Sequence, residues 1–113
     1  MKIKITEQYG AAIVELKGNV MGGPDAGELS ETLRKLLSEG KKNIVFDLAD
    51  VKFMNSSGLG MLISGLTTVK KEDGVLKLAN VTEKIESLLM ITKLISIFDH
   101  YDSVDAAVKS FSK

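Results

Sequence analysis

Polar and apolar residues alternate over Lys2-Ile3-Lys4-Ile5-Thr6, the period of two that a half-buried strand needs. Glu7-Gln8-Tyr9-Gly10 interrupts the pattern as a turn, and Ala11-Ala12-Ile13-Val14-Glu15-Leu16-Lys17 resumes it, so a hairpin is predicted. Gly18 to Gly23 is punctuated by glycine around the apolar pair Val20-Met21, which suits a brief strand or bulge followed by a loop. Pro24-Asp25-Ala26-Gly27-Glu28 then announces a helix. Asp25 is placed to accept from the first free N–H groups, and Glu28 to reach back as in a capping box. Leu29, Leu33, Leu36 and Leu37 form its apolar stripe, and Gly40 suits the positive φ wanted just beyond its end.

Asn43-Ile44-Val45-Phe46-Asp47-Leu48 is almost continuously apolar, as a strand covered on both faces should be. After Asp50-Val51-Lys52-Phe53-Met54 comes the polar junction Asn55-Ser56-Ser57-Gly58. Leu59, Leu62, Ile63, Leu66 and Val69 then trace a second helical stripe, on a helix starting about Ser57. Asp73-Gly74 turns the chain into a buried strand over Val75-Leu76-Lys77-Leu78-Ala79. Thr82 is placed to cap a third helix carrying Ile85, Leu88 and Leu89. Ile95-Ser96-Ile97-Phe98 reads as a last short strand, and Ser103 as the cap of a final helix with Val104, Ala107, Val108 and Phe111 inward. Two opening strands followed by alternating helix and strand predict an α/β fold in a single domain over residues 1–113. Its mixed sheet should have about four to five strands, flanked by about four helices.

Composition narrows the chemistry. The chain has 113 residues with 15 Lys+Arg against 15 Asp+Glu, so it carries no general field for holding nucleic acid or an anionic membrane. With no Cys and one His, thiolate sites and two-His metal motifs are excluded, and no cofactor is expected. No uncharged apolar run approaches the roughly 18 residues of a membrane span. Met1 to Ile5 alternates in polarity rather than forming an apolar core, so no signal peptide is expected and the cytoplasm is the expected compartment.

Asn55-Ser56-Ser57-Gly58-Leu59-Gly60 stands out as small, polar residues between a buried strand and an apolar helix. A helix start presents unpaired N–H groups and about half a positive charge. The two hydroxyls can cap it, or carry a phosphate whose oxygens those groups would receive. Gly58 and Gly60 allow a close approach by another backbone or a bulky anion. Gly58, Gly60 and Gly65 do not make a phosphate loop, since no Lys-Ser or Lys-Thr follows at Walker spacing, and Ile63 breaks a dinucleotide fingerprint. A serine nucleophile would need a base; His100, the sole imidazole, lies in the polar stretch Phe98-Asp99-His100-Tyr101-Asp102, read as a solvated connection. Met21, Met54, Met61 and Met90 could make an adaptable contact surface, although Met61 and Met90 fall in helical segments where core packing is the simpler expectation.

Phe53-Met54-Asn55-Ser56-Ser57-Gly58-Leu59-Gly60, preceded by Ile44-Val45-Phe46-Asp47-Leu48, resembles the signature of the STAS domain. More narrowly, it resembles the stand-alone bacterial anti-sigma factor antagonists. The resemblance runs over essentially the whole chain and includes Leu16-Lys17-Gly18 and Gly74-Val75-Leu76-Lys77-Leu78. It implies a mixed sheet flanked by helices and a regulator that is not an enzyme. It further implies that Ser56, with Ser57 as the alternate, is phosphorylated by the partner anti-sigma factor, a serine kinase. The unmodified form would bind that partner and free the sigma factor, and a phosphatase would restore it. The expected contact face is Val20, Met21, Asn55, Ser56, Ser57, Gly58 and Leu59. Asn55 stands where the family usually has Asp, and Gly18-Asn19-Val20-Met21 lacks two acids common at that point. The alternative is therefore a constitutive STAS interaction module of a sensory or transporter complex, without phosphorylation. A small enzyme comes third, opposed by the missing base, metal ligands and phosphate loop.

Overall fold

The alternation of the first twenty residues produces the hairpin: β1 (Lys2–Gln8) pairs antiparallel with β2 (Ala11–Val20) in this computed structural model, which describes residues 1–112 and leaves Lys113 outside. The turn is tighter than expected. Tyr9 and Gly10 have φ of 49° and 81°, the left-handed pair that matches the twist of two joined strands, so β1 runs on through Glu7 and Gln8. Lys41 reaches back to Glu7 of β1, and that hydrogen bond holds its ammonium above the usual lysine range.

β2 is long because it serves two parallel partners. Its first half pairs with β3 (Asn43–Asp47); beyond Gly18 it pairs with β4 (Val51–Met54). The register shifts between Gly18 and Asn19, where Gly18 has φ 86° and its N–H donates to the Asp50 carbonyl at 3.0 Å. The extra residue is Lys52 of β4, so the bulge lies in β4 and the ladder resumes beyond it at Asn19 and Phe53. β5 (Val75–Ala79) lies parallel beside β3, and β6 (Asp99–Tyr101) parallel beside β5. The order is β1-β2-β3-β5-β6, with β4 on β2.

The mixed sheet thus has six strands among the described residues, against four to five expected. Val51-Lys52-Phe53-Met54 shows no alternation, and only its pairing with the extension of β2 makes it a strand. The last strand is also displaced. Ile95–Ile97 is a 3-10 turn, Phe98 enters the core, and the polar stretch Asp99–Tyr101 forms β6. An edge strand is only partly covered, so its sequence need not be apolar.

Four helices flank the sheet among the described residues: α1 (Pro24–Ser38), α2 (Ser56–Lys71), α3 (Glu83–Ile91) and α4 (Val104–Ser110). Leu29, Leu33 and Leu36 of α1 and Leu62, Leu66 and Val69 of α2 pack with Val14, Ile44, Phe46 and Leu78 on one face, where Ile85 and Leu89 of α3 also join. Met61 is in this core as expected, but Met90 of α3 is 58% exposed rather than packed. The expected capping box on α1 does not form. Gly23 precedes the helix with no side-chain cap, and Pro24 takes the first turn, where its missing N–H is no loss. Asp25 faces the Met1 amino group at 3.8 Å instead. Thr82 and Ser103 do cap α3 and α4, accepting from Ile85 N–H at 3.4 Å and Ala106 N–H at 3.0 Å.

α4 covers the opposite face, setting Ala107 and Val108 on Ala11, Ile13, Val45 and Ala79. Lys77 of β5 points to this side and is 8% exposed. Its Nζ donates to Ser110 Oγ at 2.6 Å and lies 4.6 Å from the Phe111 ring centre and 5.3 Å from that of Tyr101. The Ser110 hydroxyl in turn donates to the Ala107 carbonyl at 2.6 Å. A cation over aromatic faces is worth about 0.5–2 kcal/mol, and a charge-assisted hydrogen bond a similar amount. Lys77→Ala should therefore speed amide hydrogen exchange across residues 104–110 by roughly ten-fold, with β2 and β3 unchanged. Lys77→Met, which keeps the apolar stem, should recover part of the protection. Unaltered exchange in α4 for Lys77→Ala would show that the apolar contacts alone hold it.

Candidate functional site

The ends of β2 and β4 and the start of α2 meet at the polar junction. Asn55, in extended conformation (φ −105°, ψ −174°), is the cap: its Oδ1 accepts from the Gly58 N–H at 2.8 Å. Its carbonyl accepts from the Leu59 N–H at 2.9 Å. The expectation that a serine hydroxyl caps this helix is corrected. α2 begins at Ser56, one residue before the expected start, and both hydroxyls lie outside the cap. An amide oxygen reaches the third residue of the helix as well as a serine or an aspartate would.

Gly58 draws the three segments together. A Cβ there would lie 1.9 Å from the Val20 carbonyl oxygen, 2.8 Å from its carbon and 3.0 Å from Met54 Cγ. The last residue of β2 thus occupies the space a side chain would need. Gly60, expected to allow a similar approach, has nothing within 4 Å of its Cβ position. On the loop side, Gly22 (φ 89°) leans on Ser57, whose Cβ is 2.8 Å from the position a Gly22 Cβ would take.

Burial divides the expected contact residues. Val20 and Leu59 are 0% and 3% exposed and Gly58 is buried, so these three are framework rather than surface, a correction that follows from their packing under the helix start. Ser56 and Ser57 are exposed, Met21 is exposed and Asn55 is half-buried. Phe53, two residues before the cap, is 48% exposed and was not among the expected residues. A large aromatic next to a polar junction was the available signal.

Electrostatically, the start of α2 is positive by default. Its first turn contains no acid, and its cations, Lys70 and Lys71, lie in the last turn. Among the described residues, no three acidic or imidazole side chains are grouped to hold a metal ion. His100 is not in a loop but in β6, at the end of the strand path away from β2. No helix of the described residues is long and apolar enough to cross a membrane. The arrangement offers two hydroxyls to solvent on an electropositive helix end, beside exposed apolar side chains.

Gly58→Ala should destabilise the protein by about 3 kcal/mol or more, because the clash is with backbone that cannot swing away. Gly60→Ala, in open space within a helix, should be neutral or stabilising by up to about 1 kcal/mol. Urea denaturation of both variants checks this. Equal stabilities would mean that Val20 and α2 are not held as described.

The STAS domain profile matches residues 2–107. The anti-sigma-B factor antagonist of Bacillus subtilis (strain 168) is 36% identical over 88 residues, which is 75% of this chain and 80% of that protein. Among solved structures, the anti-sigma factor antagonist SpoIIAA in its unphosphorylated form superimposes with a TM-score of 0.72 at 12% identity, covering 98% of this chain and 97% of that one. Bacillus SpoIIAA in its phosphorylated form gives 0.72 at 14% identity, covering 96% and 99%. A sulfate transporter family protein from Wolinella succinogenes gives 0.79 at 19% identity, covering 93% and 87%. The shared architecture, the profile spanning almost every residue and a relative matched along most of its own length together make this chain a member of the STAS domain family.

Proposed function

We propose that this chain is an anti-sigma factor antagonist: residues 1–113 act as one module that binds an anti-sigma factor serine kinase while Ser56 is unmodified. Phosphorylation of Ser56 by that kinase releases it, and a phosphatase resets it. The observation that carries this reading is an exposed serine standing as the first residue of a 16-residue helix whose cap is made by its neighbour, Asn55. The hydroxyl is not spent on the fold, and the N–H groups behind it are suited to phosphate oxygens. Ser57, also exposed and beside Gly22, is the alternate acceptor. The Bacillus relatives support the assignment, one by its name as an anti-sigma-B factor antagonist and one by having a phosphorylated form. The setting is the cytoplasm, where sigma factors act.

The mechanism is electrostatic. A phosphate adds about −1.5 to −2 charges. The helix end tolerates that charge, so the domain need not rearrange. A partner surface packed on Met21 and Ser56 cannot bury it without a matching cation. About 3 kcal/mol of mismatch lowers affinity by two orders of magnitude.

A second reading, a constitutive module in a sensory or transporter assembly, is favoured by Asn55 in place of an acid and by the likeness to the transporter family protein. The two separate on Ser56. Ser56→Ala should keep full affinity for the anti-sigma factor kinase of the same genome, whereas Ser56→Asp should lose about ten-fold or more by calorimetry. Incubation with that kinase and ATP should place phosphate on the peptide containing Ser56. Equal affinity of both variants, with an unmodified peptide, would establish the constitutive module instead.

A further inference from the structure

Beside the serine, β4 borders a second feature. Among the described residues β4 pairs with β2 alone, so one edge of it carries no strand. Facing it, α3 sets Lys84, Ser87, Leu88 and Ile91 along a groove of about 250 Å³ whose other wall includes Phe53 and Met54. The spacing i, i+3, i+4, i+7 puts those four on one side of α3. Ile85 and Leu89 supply its buried contact with the core. Phe53 is 48% and Ile91 80% exposed, so the groove is bounded by large apolar side chains that the core does not claim. Its charges have one sign. Lys52 and Lys84 line it and no carboxylate does. Glu86, two residues from Lys84, falls about 200° around the helix and faces away.

We infer that this groove takes an extended segment of a partner protein, which adds as a strand to the free edge of β4. Its alternate apolar side chains rest on Phe53, Leu88 and Ile91, and the ammonium groups of Lys52 and Lys84 at the groove favour a segment of negative charge. A partner helix would fill the apolar volume but leave the strand edge without hydrogen bonds. An extended segment satisfies both, its backbone pairing with β4 while its period of two sends every second side chain to the groove. Lys52 and Lys84 set the sign of the remaining side chains. Phe53 and Met54 lead directly into Asn55 and Ser56, so a segment lying along β4 ends beside the acceptor serine. The inference rests on reading the chain as a docking module, and it adds a recognition element independent of the charge at residue 56.

The test uses the full chain, labelled with ¹⁵N, and a blocked six-residue peptide alternating valine and glutamate as probe. Amide shift changes should concentrate on residues 51–54 and 84–91, with slowed exchange of β4 amides. The matching valine–lysine peptide should bind at least ten-fold more weakly. Ile91→Asp, at a solvent-exposed position that leaves the fold intact, should weaken the valine–glutamate peptide at least ten-fold. No binding, shifts mapping elsewhere, or equal affinity for the two peptides would overturn the inference. So would sedimentation showing that a second copy of this chain occupies the groove and that Ile91→Asp dissociates the pair. Because Ser56 plays no part in this assay, failure here leaves the serine switch standing, and failure of the Ser56→Asp comparison leaves the groove standing.

Discussion

The geometry of the site depends on one absent methyl group. With no Cβ on Gly58, the carbonyl of Val20 can sit against the first turn of α2, and the end of β2 is locked to the start of the helix. Val20 is at that point because β2 runs on past the register shift, where a bulge at Lys52 keeps β4 paired to it. A bulge in a strand and a glycine in a helix are therefore one device. Together they put the junction between β4 and α2 at a rigid corner, so Ser56 is displayed by backbone rather than by a loop of its own.

The same short segments serve the interior and the surface by turns. Val20 is sealed while Met21 is exposed; Leu59 is sealed while Ser56 and Ser57 face solvent. β4 and α3 repeat the arrangement, with Met54 and Leu89 buried beside the exposed Phe53 and Ile91. Sites of this kind couple binding to stability: substitutions at exposed members can be read as binding effects, whereas those at their neighbours disturb the frame.

Where local physics decides, the sequence was legible. The hairpin, the two leucine-rich stripes, the positive φ at Gly40 and the caps at Thr82 and Ser103 follow from period, turn chemistry and hydrogen-bonding side chains that act within four residues. What escaped depends on distant parts of the chain. Val51–Met54 becomes a strand only beside the far end of β2, and Asp99–Tyr101 is ordered by β5 although its residues look like a loop. Asp25 has the chemistry of a cap, but Pro24 ahead of it already begins the helix. At the site, the two exposed serines and the cap before them fall within a local motif, whereas the burial of Val20, Gly58 and Leu59 arises from packing between segments over thirty residues apart in the chain.

Asn55 makes its hydrogen bond to Gly58 with a neutral amide. A carboxylate in that position would gain and lose a proton as the surroundings acidify, loosening the helix start and altering the charge beside the serine. An amide does neither. The corner is thus blind to acidity at its own cap.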